Sequence, residues 1–278
     1  MGEAQAVAVV TGAAGGIGGA FALRLASLGY AVVAVDSDRA GLAELMSGPL
    51  GGGGHRSLGA DVSDPAAWDR VADECRRGAA RVDLLVQAAG VLLVGPLERC
   101  DAADVRRVID VNLTGAALGA RAIAPLLRET ARRHGAPPAL PRGLLNVASV
   151  FATVAPPGFA VYNASKAGLL VLTESLRGEL AADRLAATAV LPGVTPTGLF
   201  AKAIYSDAGL RAATEDWLER SELTPDEVAE AALRAYRRGR AAAVIGRRAR
   251  RFALLKALAP GLTRRRVAAA AGRFLSGG

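Results

Sequence analysis

Residues 4–23, AQAVAVVTGAAGGIGGAFAL, carry no charged side chain and hold five glycines in their middle. No other feature limits the fold as strongly. The stretch is long enough to suggest a membrane span, but that many glycines make a poor membrane helix. No basic segment precedes it, since Glu3 is the one charged residue ahead, so a secretory leader is not expected. What remains is a buried strand, Ala6–Val10, that runs into a glycine-rich turn and then a helix. No other uncharged run reaches membrane-spanning length.

The same alternation continues along the chain. Apolar runs at Ala6–Val10, Ala31–Asp36, His55–Ala60, Val82–Gln87, Gly143–Ala148, Leu185–Leu191 and Ala241–Ile245 read as strands. Helical patterns fall near 16–28, 38–47, 64–79, 101–133, 159–182 and 224–238. Strand and helix in turn predict an α/β fold: a single doubly wound, Rossmann-like domain with a parallel sheet of about seven strands and helices on both faces. Ser63, Asp64 and Pro65 mark one helix start, and Thr224, Pro225, Asp226 and Glu227 another. Gly51–Gly54 reads as a turn within the domain and 136–142 as a loop. The domain spans 1–246, and 247–278 is a basic, amphipathic extension.

Half of the 278 residues are hydrophobic and aromatics are scarce, so Ala, Gly, Val and Leu must build the core. The net charge of +8 is concentrated from Arg237 onward. Lysine occurs only at 166, 202 and 256, which makes each one less casual. The basic run has no interleaved aromatics in a recognisable binding module, so nucleic acid is not expected. Arg247–Leu258 and Thr263–Leu275 mix arginines with Phe252, Leu254, Leu255, Leu258, Phe274 and Leu275, a composition suited to peripheral contact with an anionic membrane. Cys75 and Cys100 give neither a disulfide framework nor a metal set, and a reducing cytoplasm is expected. His55 and His134 read as solvated surface residues, and no metal site is expected.

Chemistry enters at the glycine turn, Thr11-Gly12-Ala13-Ala14-Gly15-Gly16-Ile17-Gly18. Between a strand and a helix, such a turn brings backbone close to a pyrophosphate, and the helix N-terminus offers N–H groups and partial positive charge. Asp36 closes the second strand 18 residues after Gly18. An acid there accepts from ribose hydroxyls and repels a 2′-phosphate, which favours NAD over NADP, with Arg39 close enough to soften the exclusion. Tyr162 and Lys166 are four apart on one helical face, so the ammonium is expected to lower the phenol from about 10 toward the working pH. Ser149 ends the strand before them, at the sheet edge where ligands bind.

These residues resemble the short-chain dehydrogenase/reductase family, in its roughly 250-residue branch of one doubly wound domain. The resemblance covers about residues 5–245 and rests on the T-G-x-x-x-G-x-G turn, Asp61-Val62, Val111-Asn112-Leu113-Thr114-Gly115, Ser149, Tyr162-x-x-x-Lys166 and Pro192-Gly193-x-x-x-Thr197. Ser149 and Tyr162 stand 13 apart. The resemblance implies Tyr162 as proton donor and acceptor, Ser149 polarising the carbonyl, Lys166 tuning Tyr162 and holding the nicotinamide ribose, and Asn112 ordering a water beside Lys166. It implies a cofactor cradle of Gly12, Gly16, Ile17, Gly18, Asp36, Asp61, Val62, Ala88, Ala89, Gly90, Tyr162, Lys166, Pro192, Gly193, Val194, Thr195 and Thr197. Gln87-Ala88-Ala89-Gly90 departs from the family's N-N-A-G, and Gln87 is expected to tie the strands less well.

The implied activity is interconversion of a secondary alcohol and a ketone with NAD, NADP being less favoured. Leu92, Leu93, Val94, Phe151, Phe159, Leu199, Phe200, Ile204, Tyr205 and Trp217 would line the substrate's approach, which suits a bulky apolar alcohol. A homodimer or homotetramer is expected through the helices 101–133 and 159–182, by analogy. Two other classes stay open: a non-redox epimerase or dehydratase with tightly held NAD, and a catalytically silent NAD-binding protein.

Overall fold

Val7 and Val9 point to one face of the first strand, Ala8 and Val10 to the other, and all four are buried, so this strand is covered on both sides. The computed structural model of the chain describes residues 5–77, 81–135, 139–207, 209–212, 214, 221 and 223–275, without the side chains of 270–275. Seven parallel strands form one sheet: β1 (Val7–Thr11), β2 (Ala31–Asp36), β3 (Arg56–Gly59), β4 (Leu84–Gln87), β6 (Gly143–Val147), β7 (Ala186–Pro192) and β9 (Ala242–Ile245). Their order is β3-β2-β1-β4-β6-β7-β9. The turn of direction falls beside β1, so a crevice opens between β1 and β4 at their C-terminal ends.

On one face α1 (Gly16–Ser27) and α8 (Pro225–Arg237) bring Phe21, Leu25, Val228 and Tyr236 against Ala8 and Val10, and α2 (Arg39–Ser47) adds Leu42 to the same cluster. On the other, α3 (Pro65–Arg77) and α5 (Gly115–Arg133) set Trp68, Val71, Ile123 and Leu127 against Val7 and Val9. The helix starts follow the sequence. Asp64 accepts from the Ala66 amide, and Thr224 and Glu227 form a reciprocal capping box. A second, two-stranded parallel ribbon pairs β5 (Leu93–Val94) with β8 (Ile204–Tyr205), tying the loop after β4 to the loop after β7.

Three readings change. The first strand begins and ends one residue later than expected and takes in Thr11. The expected helix 101–133 is α4 (Ala102–Ile109) and α5, joined by a π-type turn at Asp110–Thr114 in which the Gly115 amide reaches back to the Asp110 carbonyl. An extra residue per turn at this point re-aims Asn112, and such insertions recur at functional sites. His55 is not a solvated residue: its half-buried Nδ1 accepts from the Val32 amide, holding β2, and burial lowers its pKa. The segment from 247 forms two consecutive helices, α9 (Arg247–Leu258) and α10 (Pro260–Leu275).

The N-terminal edge of the sheet is closed by buried charge. Asp83 accepts from the Val7 amide (3.0 Å) and Arg81 Nε (2.6 Å) on Oδ2, and from Arg81 Nη2 (3.1 Å) and Arg142 Nε (2.8 Å) on Oδ1. All four lone-pair positions of the carboxylate are thereby used. The Tyr30 and Tyr236 rings fill the core nearby, both fully buried.

Candidate active site

A cleft of about 550 Å³ runs along the C-terminal ends of the strands. The glycine turn forms its floor. Gly12 holds φ +68°, and a Cβ there would lie 2.7 Å from the Ala89 nitrogen, so only glycine lets the two loops meet. The Thr11 hydroxyl accepts from the amides of Ala88 and Ala89, both at 3.2 Å, and fixes that contact. At the start of α1, Gly15 supplies no side-chain cap and the first turn holds no acid. Its leading N–H groups are left for an anion. This donor set fits the diphosphate of a dinucleotide.

The acidic end of the cleft is built by two loops. Asp36 Oδ2 accepts from the Ala14 amide (3.0 Å) and Oδ1 from the Asp38 amide (2.9 Å), which leaves one lone pair on each oxygen for ribose hydroxyls. Asp61 is pushed up by burial, but the hydroxyl and amide of Ser63 and the charge of Arg107 outweigh this and hold it below its usual pKa. Lys202 reaches across and donates to Asp38 Oδ2 at 2.7 Å. Asp38, whose carboxylate also accepts from the Gly41 amide, is held low by that amide first and by Lys202 second. Lys202 and Arg107 are cleft residues that sequence reasoning missed, although the scarcity of lysine was a signal for the first. Arg39 instead lies across Gly59, the register partner of Asp36, and is not on the cleft wall.

At the other end stand Ser149, Tyr162 and Lys166. Ser149 leaves β6 and its Oγ accepts from the Phe151 amide at 3.2 Å. Tyr162 and Lys166 come from α6 (Ala160–Ala181), and the Lys166 nitrogen lies 5.8 Å from the Tyr162 ring centre. That nitrogen donates to the Val147 carbonyl at 2.9 Å. Burial pushes the Tyr162 phenol up to about 12, against a hydrogen bond with Ser149 that favours phenolate. Burial brings the Lys166 ammonium down to about 8. The lysine was expected to lower the tyrosine; in the cleft as it stands, desolvation of the phenol is the larger effect and Ser149 is what opposes it. Phe151 meets the Tyr162 ring edge-on, centroids 6.3 Å apart.

Asn112 sits behind this group, not on the cleft wall. Its Oδ1 accepts from the Val91 amide (2.8 Å), and its Nδ2 donates to the Val91 carbonyl (2.9 Å) and Ser165 Oγ (3.0 Å). The carboxamide thus clamps the loop after β4, with one Oδ1 lone pair left over. Gln87 ties its surroundings through one end of its amide: Nε2 donates to the Ala116 carbonyl and to Asn146 Oδ1 at 3.0 and 2.9 Å, while the buried Oε1 has no hydrogen-bond partner among the described residues. Gly119 makes room for the longer amide, because a Cβ there would run into Gln87 Oε1 and the Trp68 ring.

Every residue expected in the cofactor cradle lies along this one cleft, from Gly12, Gly16, Ile17 and Gly18 through Asp61, Val62, Ala88, Ala89 and Gly90 to Pro192, Gly193, Val194, Thr195 and Thr197. Thr195 donates to the Gly193 carbonyl and Thr197 caps α7 (Gly198–Ala201). Of the expected substrate wall, Leu92, Phe151, Leu199, Phe200 and Ile204 line the cleft. Leu93, Val94 and Phe159 are buried behind it, and Tyr205 donates back to the Phe200 carbonyl. Trp217 lies outside the described residues.

A parallel doubly wound sheet with an anion-binding turn, an acid at the end of β2 and a buried Ser-Tyr-Lys group defines a dinucleotide-dependent class of enzyme. A family model for short chain dehydrogenases matches residues 6–207, and the chain belongs to the short-chain dehydrogenase/reductase family of oxidoreductases. It is 35% identical over 227 residues to the 3β-hydroxysteroid dehydrogenase 1 of Eggerthella lenta, spanning 81% of this chain and 84% of that one. It is 38% identical to the cis-4-hydroxycyclohexanecarboxylate dehydrogenase of Sinomonas cyclohexanicum over 83% of this chain and 90% of that one. A short-chain dehydrogenase/reductase of Burkholderia phymatum, solved with NAD, superposes with a TM-score of 0.84 at 28% identity, over 94% and 96% of the two chains. Among the described residues no helix is long and apolar enough to cross a membrane.

Proposed function

We propose that the protein oxidises a bulky, apolar secondary alcohol to its ketone, or the reverse, with NAD preferred over NADP. The observation that carries this reading is the Tyr162–Ser149 hydroxyl pair, set in a cleft whose apolar lining includes Leu92, Phe151, Leu199, Phe200 and Ile204. Two relatives are named for hydroxyl groups on a steroid and on a cyclohexane ring, which supports a ring-borne secondary alcohol.

Gly12–Gly18 and the N-terminus of α1 would hold the diphosphate, and Asp36 the adenosine ribose. The nicotinamide supplies or accepts the hydride when bound. Tyr162 gives its proton to the carbonyl oxygen in reduction and takes it from the hydroxyl in oxidation. Ser149 holds that same oxygen and favours the phenolate. Lys166, at about 8, remains charged at neutral pH and places a cation beside Tyr162. The two free lone pairs of Asp36 suit ribose hydroxyls, while a 2′-phosphate would meet a carboxylate. Lys202, a cleft-lining cation beside Asp38, is better placed than Arg39 to soften this exclusion. A homodimer or homotetramer through α4, α5 and α6 accompanies the proposal by analogy.

The test follows NADH absorbance while hydrophobic ring alcohols are offered with NAD or NADP. Wild type is expected to turn over with higher kcat/KM for NAD. Tyr162→Phe should lose about 10²-fold or more in turnover, the scale of general acid–base catalysis. Near wild-type turnover in that variant would remove Tyr162 from its role, and better use of NADP would reverse the reading of Asp36.

A further inference from the structure

The corner between α9 and α10 exposes what a folded domain ordinarily covers. Leu254, Leu258 and Leu262 are 60%, 76% and 46% exposed. In α9, Arg247, Arg251, Leu254 and Leu258 follow at steps of four, three and four, so they share one helical face. That face carries its arginines at the start and its leucines at the end, where Ala259-Pro260-Gly261 turns the chain into α10 and Leu262. Arg264, Arg265 and Arg266 follow at once and are exposed. The apolar corner therefore has a basic collar. No acidic residue follows Glu230 anywhere in the sequence.

The inner side of the pair is not free. Ala249 is buried with Val150 and Val154, and Val267 packs against the same cluster together with Phe151, which also lines the cleft. The corner thus rides on the loop that follows Ser149. We propose that this corner docks on the surface of an anionic lipid bilayer, its leucines entering the headgroup boundary and its arginines meeting lipid phosphates. Three features favour this occupant. Leucines gain from an acyl boundary and gain nothing from a polyphosphate backbone. A second copy seated through the same surface would set arginine against arginine with no acid from this segment to pair it. Docking here also places the wall of the cleft near the phase in which an apolar alcohol resides, although the proposal does not depend on that substrate class.

Co-sedimentation of the full chain with phosphatidylcholine vesicles, with and without phosphatidylglycerol, tests it. Wild type should sediment with the anionic vesicles alone and be released by high salt. A variant carrying Arg251→Gln, Arg265→Gln and Arg266→Gln should bind on the order of 100-fold more weakly, since each arginine near an anionic surface contributes about fivefold. Leu258→Ser with Leu262→Ser should weaken binding about tenfold or more while leaving Tm, NADH binding and elution volume unchanged. No binding by wild type, equal binding to both vesicle types, or full binding by the arginine variant would overturn the proposal. So would leucine variants that change the oligomeric state in place of lipid affinity, which would make the corner an interface between copies.

Discussion

At the N-terminal edge of the sheet, Asp83 meets two guanidinium groups and a backbone amide, and every lone pair is matched. At the C-terminal edge, Lys166 has the Val147 carbonyl as its hydrogen-bond acceptor, and Tyr162 has Ser149. Both edges bury ionisable side chains to a similar degree. One compensates the charge and the other leaves it to be carried by desolvated groups with shifted pKa values. The first arrangement fixes β1, β4 and β6 relative to one another. The second keeps groups poised to exchange protons, at a cost in stability.

The contrast breaks most visibly at Asp83. Asp83→Asn leaves two buried guanidinium groups without their counter-charge, and a loss of about 3–5 kcal/mol in unfolding free energy is expected. Urea denaturation checks it. A loss within the range of a surface substitution would mean that the triad is solvated and that the two edges do not differ in this respect.

Next in size is Gly119→Ala, whose added methyl collides with Gln87 and Trp68 and should destabilise by about 1–3 kcal/mol. Trp68 donates to the Val62 carbonyl in the cleft wall, so weaker NADH binding should accompany the loss. Adding Gln87→Asn shortens the obstructing amide and should recover part of the stability. No recovery in the double variant would show that Gln87 is not what Gly119 accommodates.

Lys202→Met should give the smallest effect. The Lys202–Asp38 pair crosses the cleft mouth but is largely solvated, at 72% and 35% side-chain exposure. Exposed pairs contribute little, so NADH release should quicken by only about two- to fivefold with Tm unchanged. Stopped-flow displacement of NADH measures this, and an unaltered release rate would show that the bridge does not cover the cofactor.

All seven strands of the main sheet were legible, the five inner ones because buried parallel strands read as continuous apolar runs, and the less buried edge strands β3 and β9 because they alternate with helical patterns. The cleft was legible where residues cluster in sequence, as in Gly12–Gly18 and Tyr162–Lys166. It was not legible where contacts join distant segments. Lys202 and Asp38 lie 164 residues apart, and at the opposite edge of the sheet Arg142 and Asp83, just as illegible, are separated by 59. The turn at Asp110–Thr114 was hidden for another reason: one wide turn leaves the 3.6-residue pattern on either side intact. The ribbon of β5 and β8 spans two residues on each side and exists only because the loops after β4 and β7 meet. His55 looked solvated because nothing in its glycine-rich neighbourhood announces the Val32 amide.

Lys166→Met tests the contrast most directly, with turnover and stability measured on the same protein. Lys166 falls from 10.5 unfolded to about 8 folded. Between these values the unfolded chain binds the extra proton, so Lys166 lets stability rise as pH climbs from about 8 toward 10.5 and costs stability below 8. Cys75, raised from 9.0 to about 11 by burial, acts in the opposite sense above pH 9, so the difference between wild type and variant is the quantity to follow. Methionine removes the buried ammonium at similar size. The variant should be at least as stable as wild type at pH 7, its advantage should shrink between pH 8 and 9, and turnover should fall by about 10²-fold or more. A variant less stable than wild type at pH 7, with activity lost only in proportion to the folded fraction, would contradict the account.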